Sequence, residues 1–283
     1  MFQLDEKQSI DTFQRKQVTN KTNNSMSPIL FEIKNSVAFI TLNRPEKYNS
    51  FNREMALGLQ ERLDECEKNI SIRCVFLTGS GKAFSAGQDL AEVVDPAGPG
   101  MEQILSKHYN PVINAIRKLN KPVLAVVNGV AAGAGANIAL CCDIVIAGES
   151  ASFIQAFSKI GLIPDSGGTY FLPRLIGFQK ASAIMMLGEK ISAQDAERFG
   201  MIFKFFPDEI LFVEAEKIAQ TLSEMPTKAL AYTKWALNLS LEQTIEQQLK
   251  TEDILQQKAA ATNDFAEGVA AFLAKRKPGF KGD

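Results

Sequence analysis

The segment Val123–Gly148, VLAVVNGVAAGAGANIALCCDIVIAG, constrains the fold more than any other stretch. It is apolar enough to imitate a membrane span. Asn128, Asn137 and Asp143 interrupt it, as do Gly129, Gly133 and Gly135 in its first half. A bilayer core demands about 20 apolar residues in a row, and amides or carboxylates placed inside it are costly. The segment therefore reads as a buried strand, a glycine-rich loop, a buried helix and a second buried strand.

The flanks extend that pattern into an α/β body. Ile29–Pro45 reads as two short strands around a turn at Asn35-Ser36. Asn52–Asn69 carries Met55, Leu57, Leu59, Leu63 and Cys66 in a helical pattern with a polar opposite face. Cys74–Thr78 is a strand that runs into a glycine-rich loop. Asp95–Gly100 is a loop and Met101–Leu119 is helical. After Gly148 the strand signals fade. Ser192 and Asp195 form a loose capping box for a helix that ends at Gly200. Helices are expected over Leu211–Glu224, Thr227–Leu239, Leu241–Ala260 and Asn263–Ala274. This divides the chain into a flexible tail (1–28), an α/β core (29–210) and a C-terminal helical region (211–283).

Composition removes several function classes. With 31 Lys+Arg against 32 Asp+Glu the net charge is -1, which gives no electrostatic reason to expect nucleic acid or an anionic membrane as partner. The four cysteines, Cys66, Cys74, Cys141 and Cys142, form no CxxC pair, so no metal site is expected from their spacing. They are expected to stay reduced, as in a cytoplasmic enzyme, with Cys141 and Cys142 as buried filler. The single histidine, His108, lies in a polar helical segment and reads as a surface residue. Residues 1–28 lack the apolar core of a secretory signal, and Asp5, Glu6 and Asp11 argue against a transit peptide. Trp235 and the phenylalanines of the C-terminal helices read as core or subunit contacts. Lys275, Arg276, Lys277 and Lys281 are either a solvated basic tail or cations that reach phosphates.

Two glycine-rich turns and one carboxylate carry the chemistry. FSAGQDL (Phe84–Leu90) and NGVAAGAGANIAL (Asn128–Leu140) each follow a buried strand, and the second opens a helix. Loops of this kind either permit tight strand–helix packing or offer backbone N–H groups to one developing oxyanion. Neither has the spacing of a dinucleotide fingerprint. In KIGLIPDSGGTYFLPRLIG (Lys159–Gly177), Asp165 stands between an apolar run, read as a buried edge, and the start of a helix. It is a helix N-cap, an acid/base in an apolar pocket, or both.

The ordered series LNRPEKYNSFN, GKAFSAGQDL, the Val123 segment, ASFIQAFSKIGLIPDSGGTYFLPRLIG, ISAQDAERFGMI and EGVAAFLAKRKPGF resembles the enoyl-CoA hydratase/isomerase family, from about Ile29 to the C-terminus. The resemblance implies the crotonase fold: an α/β spiral of ββα units with a C-terminal helical trimerisation region, as a homotrimer or dimer of trimers. It implies an acyl-CoA thioester substrate and no cofactor beyond that coenzyme A. By motif position, the enolate is held by the N–H groups of Gln88 and Ala134, and the CoA adenine lies along the backbone of Ser85, Ala86 and Gln88. The two glutamates of the family's hydratases fall at Asn137 and Phe157, so ordinary hydration is not expected. The remaining acid is Asp165, placed where the family's proton-moving isomerases carry theirs. Burial beside Phe157 and Ile163 should raise its pKa. Asn137 either bonds substrate, orients Asp165, or is a buried amide satisfied by backbone; Phe157 is a flat pocket wall. The pattern resembles isomerases of ring-epoxide aryl-acetyl thioesters. A 3-enoyl-CoA to 2-enoyl-CoA isomerase is the second candidate, and a non-catalytic acyl-CoA- or partner-binding member is the alternative from another class.

Overall fold

The computed structural model describes residues 27–283. β1 (Ile29–Lys34) and β2 (Val37–Leu42) form an antiparallel hairpin that turns at Asn35 and Ser36, with φ of 51° and 62°. Two consecutive left-handed residues give the turn whose twist matches its strands. Asn52 then caps α1 (Arg53–Lys68), its side chain accepting the Met55 N–H at 3.0 Å. Met55, Leu59, Leu63 and Cys66 are buried as expected, but Leu57 is exposed. It lies two residues from Met55, about 200° around the helix, on the opposite face.

From Cys74 the backbone repeats one move three times. A strand enters the larger sheet, a tight corner turns the chain, and a three-residue strand joins a smaller sheet. The pairs are β3 (Cys74–Gly79) with β4 (Ala83–Ser85), β5 (Val123–Val127) with β6 (Val130–Ala132), and β7 (Ile144–Gly148) with β8 (Ser152–Ile154). Helices α2 (Leu90–Val94), α3 (Gly100–Gln103) and α4 (Asn110–Lys118) follow β4, and α5 (Ala134–Leu140) follows β6. Next come α6 (Gly168–Ile176), α7 (Phe178–Leu187), β9 (Lys190–Ser192), α8 (Ala193–Arg198) and β10 (Lys204–Phe206). The larger sheet has the order β1-β2-β3-β5-β7-β10 and the smaller β4-β6-β8-β9. Apart from β1/β2 and β8/β9 the pairings are parallel.

Parallel strands covered on both faces read as unbroken apolar runs, which explains the Val123 segment. Val123, Ala125 and Val127 face a core shared with α1, α4 and α5. Leu124 and Val126 face the other side, against Leu211, Ala215 and Ala219 of α9 (Leu211–Glu224). Truncating one such residue, Leu77→Ala for instance, costs about 2–5 kcal/mol. The cysteines are buried and free, and burial pushes the Cys66 thiol up to about 12. Strands β8, β9 and β10 lie where no strand was expected. Each has three residues, too few for alternation to register, and pairing with strands already in place supplies the extended conformation.

The C-terminal helices are α10 (Thr227–Ser240), α11 (Ile245–Ala260) and α12 (Asn263–Leu273), within a few residues of expectation. Ser192 caps α8 by accepting the Asp195 N–H. Lys234 of α10, only 5% exposed, ties that helix to the body. Its Nζ donates to the Ile116 carbonyl at 2.7 Å and pairs with Asp143 at 2.8 Å, while Arg117 takes the other Asp143 oxygen at 3.2 Å. A buried cation left unpaired would be strongly destabilising, so this network fixes the helix's seat. Trp235, Phe265 and Phe272 are not core; all three face solvent in the isolated chain. Two of the basic tail residues are engaged internally, Arg276 with Glu267 and Lys277 with Glu224.

Residues 1–26, most of the expected flexible tail, lie outside the described residues. Ser27 and Pro28, assigned to that tail, are instead held by Asn43, whose side chain donates to the Ser27 carbonyl at 3.0 Å and whose N–H donates to the Pro28 carbonyl at 2.8 Å. Among the described residues no helix is long and apolar enough to cross a membrane.

Candidate active site

The strands β4, β6 and β8 run parallel, so their C-terminal ends share one edge of the smaller sheet. The segments leaving that edge are Ala86–Gln88, Gly133–Ala134 and Gln155–Asp165. The residues expected to form the site, Ser85, Ala86, Gln88, Ala134, Asn137, Phe157 and Asp165, lie on these segments, at the end of β4, or on α5.

The two glycine turns touch. Gly87 has φ +88°, and Gly133 has φ +52° with ψ -129°, conformations open to glycine. A Cβ on Gly87 would stand 2.8 Å from the Ala132 carbonyl oxygen and 3.4 Å from the Ala134 nitrogen. Gln88 is bridged to Phe51: the Phe51 N–H donates to the Gly87 carbonyl at 2.7 Å, and the Asp89 N–H to the Phe51 carbonyl at 2.8 Å. That bridge leaves the Gln88 N–H facing away from Phe51. Ala134 opens α5, so its N–H has no intrahelical acceptor. Among the described residues neither N–H donates to a protein acceptor. Ala134 is buried and Gln88 half-buried; main-chain donors left without a partner in such settings are rare, and two in adjacent loops suit one anionic oxygen.

A scaffold absent from the sequence reading holds the first turn. Asn49, buried and left-handed (φ 54°), donates to the Ser80 and Ala83 carbonyls at 2.8 and 2.7 Å. Ser85 is fully enclosed; its hydroxyl donates to the Asn49 carbonyl at 2.8 Å and accepts the Gly87 N–H at 3.2 Å. Ala86 is exposed and its N–H donates to the Tyr48 carbonyl at 2.9 Å. Arg44 pairs with Asp89 at 2.9 Å. Burial raises the Asp89 pKa, and the bonds from Arg44 and the Ala91 N–H outweigh that, holding it below the ordinary carboxylate value.

Asp165 does not cap α6. That helix starts at Gly168, with Gly167 (φ +74°) before it. Asp165 contributes its main-chain carbonyl, which accepts the Gly168 N–H and the Asn137 Nδ2, each at 2.8 Å. Its carboxylate accepts the Ser166 hydroxyl at 2.9 Å. Burial pushes its pKa above the ordinary value, and the Ser166 bond offsets only part of this. The run before it is no buried edge: Ile160 and Leu162 are exposed and Ile163 is 81% exposed. Gly161 (φ +74°) turns that run outward after a short 3-10 helix, Ala156–Ile160. Ile163 therefore does not enclose Asp165.

Asn137 is 1% exposed and both ends of its amide are engaged. Nδ2 holds the Asp165 carbonyl, and Oδ1 accepts Gln155 Nε2 at 2.7 Å. This is the buried amide bonded to backbone, one of its three readings, and the backbone it holds is that of Asp165. Phe157 is buried, and its ring edge comes within 3.7 Å of where a Gly133 Cβ would stand, so it walls the second turn.

One further side chain enters from the segment before α4, and its neighbour His108 is buried beside it. Tyr109, 1% exposed, donates its hydroxyl to Gln88 Oε1 at 2.8 Å. Burial pushes its phenol well above the ordinary value, and the negative charges of Asp165 and Glu92 add to that. His108, expected on the surface, is 3% exposed, and burial lowers its pKa against an opposing contribution from Glu92. Both sit on a π-turn, Ile104–Tyr109, in which the Asn110 N–H reaches back to the Leu105 carbonyl. Pro111 has no N–H to continue the regular ladder, which opens the turn and swings these side chains inward. Pro111 inside a helical pattern was the available signal for this. Among the described residues no three His, Cys, Asp or Glu side chains are grouped to hold a metal.

A model of the enoyl-CoA hydratase/isomerase family matches residues 32–283. The chain belongs to that family. It is 47% identical to the 1,2-epoxyphenylacetyl-CoA isomerase of Escherichia coli, over 91% of this chain and 99% of that protein. It is 43% identical to a protein of Rhodobacter capsulatus named "Probable enoyl-CoA hydratase", again over 91% and 99%. The solved enoyl-CoA hydratase of Bacillus anthracis matches with a TM-score of 0.84 at 33% identity, covering 90% of this chain and 100% of the other. The fold is the crotonase fold that the motifs implied, and the family makes the chain an acyl-CoA enzyme of the hydratase/isomerase class.

Proposed function

We propose that this enzyme is an acyl-CoA isomerase whose substrate is a ring-1,2-epoxyphenylacetyl thioester, converted to the oxepin thioester as in phenylacetate breakdown. The observation that carries the reading is the lone carboxylate. Asp165 is half-buried with a pKa raised by that burial, while by motif position Asn137 and Phe157, both buried, fall where the resemblance puts the glutamates of the family's hydratases. One acid/base suffices to move a proton, whereas adding water calls for a group to activate it. Asp165 takes the proton from the carbon next to the thioester. The resulting enolate oxygen rests on the Gln88 and Ala134 N–H groups. The C–C bond shared by the ring and the epoxide breaks as its electrons join the conjugated system, and the ring expands to the seven-membered oxepin. The proton returns to a ring carbon, so the product is an isomer. Phe157 is the flat wall for an unsaturated acyl group. The CoA adenine lies along Ala86 and Gln88, while Ser85, fully enclosed, supports that turn from beneath rather than touching the ligand. The scheme draws on no cofactor besides the coenzyme A of the substrate. The 47% identical relative acts, by its name, on the same substrate class. The enzyme works in the cytoplasm as a homotrimer or dimer of trimers, using the exposed apolar residues of the C-terminal helices.

A 3-enoyl-CoA to 2-enoyl-CoA isomerisation is the second reading, since it needs only the same enolate and the same acid. The test is chromatographic. Wild type and Asp165→Asn meet the ring-epoxide thioester, a 3-enoyl-CoA and a 2-enoyl-CoA in separate tubes. Oxepin product that is lost in the variant supports the proposal. Conjugated 2-enoyl product alone moves the assignment to the second reading. A 3-hydroxyacyl product from the 2-enoyl-CoA makes it a hydratase, and binding without any product makes it a binding protein.

A further inference from the structure

Gln88 enters the proposed reaction through its main-chain N–H, yet both ends of its side chain are clamped. Oε1 accepts the Tyr109 hydroxyl at 2.8 Å, and Nε2 donates to Glu92 Oε2 at 2.9 Å. The other Glu92 oxygen accepts the Arg53 N–H at 2.8 Å, at the start of α1. A carboxylate only accepts, so Glu92 fixes which end of the amide faces Tyr109, and the phenol must donate. Tyr109 also acts on the same loop from a second direction. Its ring lies 5.8 Å, centroid to centroid, from that of Phe51, and Phe51 is the residue whose backbone bridges Gln88. Ring and hydroxyl thus bear on the main chain and the side chain of one residue. Nothing in the packing demands the hydroxyl itself, because a phenylalanine would preserve the ring contact.

We propose that Tyr109 is a positioning residue whose hydroxyl, acting through the Gln88 amide, aims the Gln88 main-chain N–H at the oxygen of a bound thioester. The inference rests on the isomerase reading above. Small errors in such aim are expensive, since a displacement of about 1 Å can cost on the order of a hundredfold in rate.

The test uses the full chain as wild type, Tyr109→Phe, Gln88→Met and the double variant. The probe is 4-(dimethylamino)cinnamoyl-CoA, a push–pull thioester whose absorption moves to the red when its carbonyl is polarised. Wild type should bind it with a red shift. Tyr109→Phe should bind it with little change in affinity but a smaller shift, and its isomerase kcat should fall roughly tenfold or more with KM little changed. If Tyr109 and Gln88 act as one unit, the double variant is no worse than the poorer single variant. A full red shift with unchanged kcat in Tyr109→Phe overturns the proposal, and so do losses that multiply in the double variant. If wild type binds thioester with no red shift at all, the isomerase reading itself falls and takes this inference with it.

Discussion

The proposed donor half and the proposed acid half of the site are built on opposite plans. Around Gln88 the polar groups are bonded several deep: Asn49 holds Ser85, Ser85 holds Gly87, Arg44 holds Asp89, and Phe51 bridges the turn. Asp165 stands instead on a turn with left-handed backbone at Ser166 and Gly167, behind an exposed apolar strap. Besides the Gly168 N–H at the start of α6, its carbonyl is held by one side chain, that of Asn137. The difference follows the tasks. Donors that meet a developing charge work best when nothing reorganises. A carboxylate that takes a proton at one carbon and returns it at another needs local freedom and a raised pKa more than it needs partners.

The sharpest way to break the comparison is to remove the acid. Asp165→Asn should lower isomerase kcat by roughly a hundred- to ten-thousandfold with thioester affinity nearly intact, read by single-turnover kinetics and equilibrium binding. Next in size is the donor half. Gly87→Ala puts a Cβ 2.8 Å from the Ala132 carbonyl oxygen and should separate the two turns, lowering kcat roughly a hundredfold. A Gly87→Ala enzyme with normal kcat would show that the donor geometry tolerates displacement.

Asn137→Ala tests the link between the halves. It strands the Gln155 amide, and it takes from the Asp165 carbonyl its only side-chain donor, so stability in urea should drop by about 1–3 kcal/mol and kcat should fall as Asp165 loosens. An unchanged midpoint and rate would mean that Asn137 supports neither.

The smallest effect is thermodynamic. The folded pKa of Asp165 lies above its unfolded value, so between the two the folded state binds more protons and stability falls as pH rises. The loss is complete above the folded pKa. Asp165→Asn should therefore be the more stable protein at neutral pH by thermal melting. That advantage should shrink as pH drops through the folded pKa toward the unfolded one. An advantage independent of pH would locate the effect in packing rather than in the carboxylate.

The two halves were also unequally legible. Glycines at fixed positions after apolar strands report a local backbone need, so the two turns could be found from the chain itself, whereas Gln88 and Ala134 within them were picked out by motif position in the family resemblance. The long helices and buried strands were readable for the same local reason. Asp165 was found by its motif, but its setting was misread. An apolar run such as Ile160-Gly-Leu-Ile-Pro164 signals burial only where something covers it, and here Gly161 turns it outward. Tyr109 and His108 carried no motif. The place of Tyr109 arises because Pro111 opens a π-turn and the fold brings it to Gln88, 21 residues away in the chain, while His108 on the same turn is simply buried. Contacts of that kind are products of topology rather than of local sequence.

The most direct measurement is the pH dependence of kcat/KM for isomerisation, in wild type and Asp165→Asn. A proton-moving Asp165 whose pKa is raised by its partial burial predicts an ionisation in wild type above the ordinary aspartate value, with rate lost on its acid side, and no such ionisation in the variant's residual activity. The same ionisation persisting in Asp165→Asn would contradict the account and assign the proton to another group.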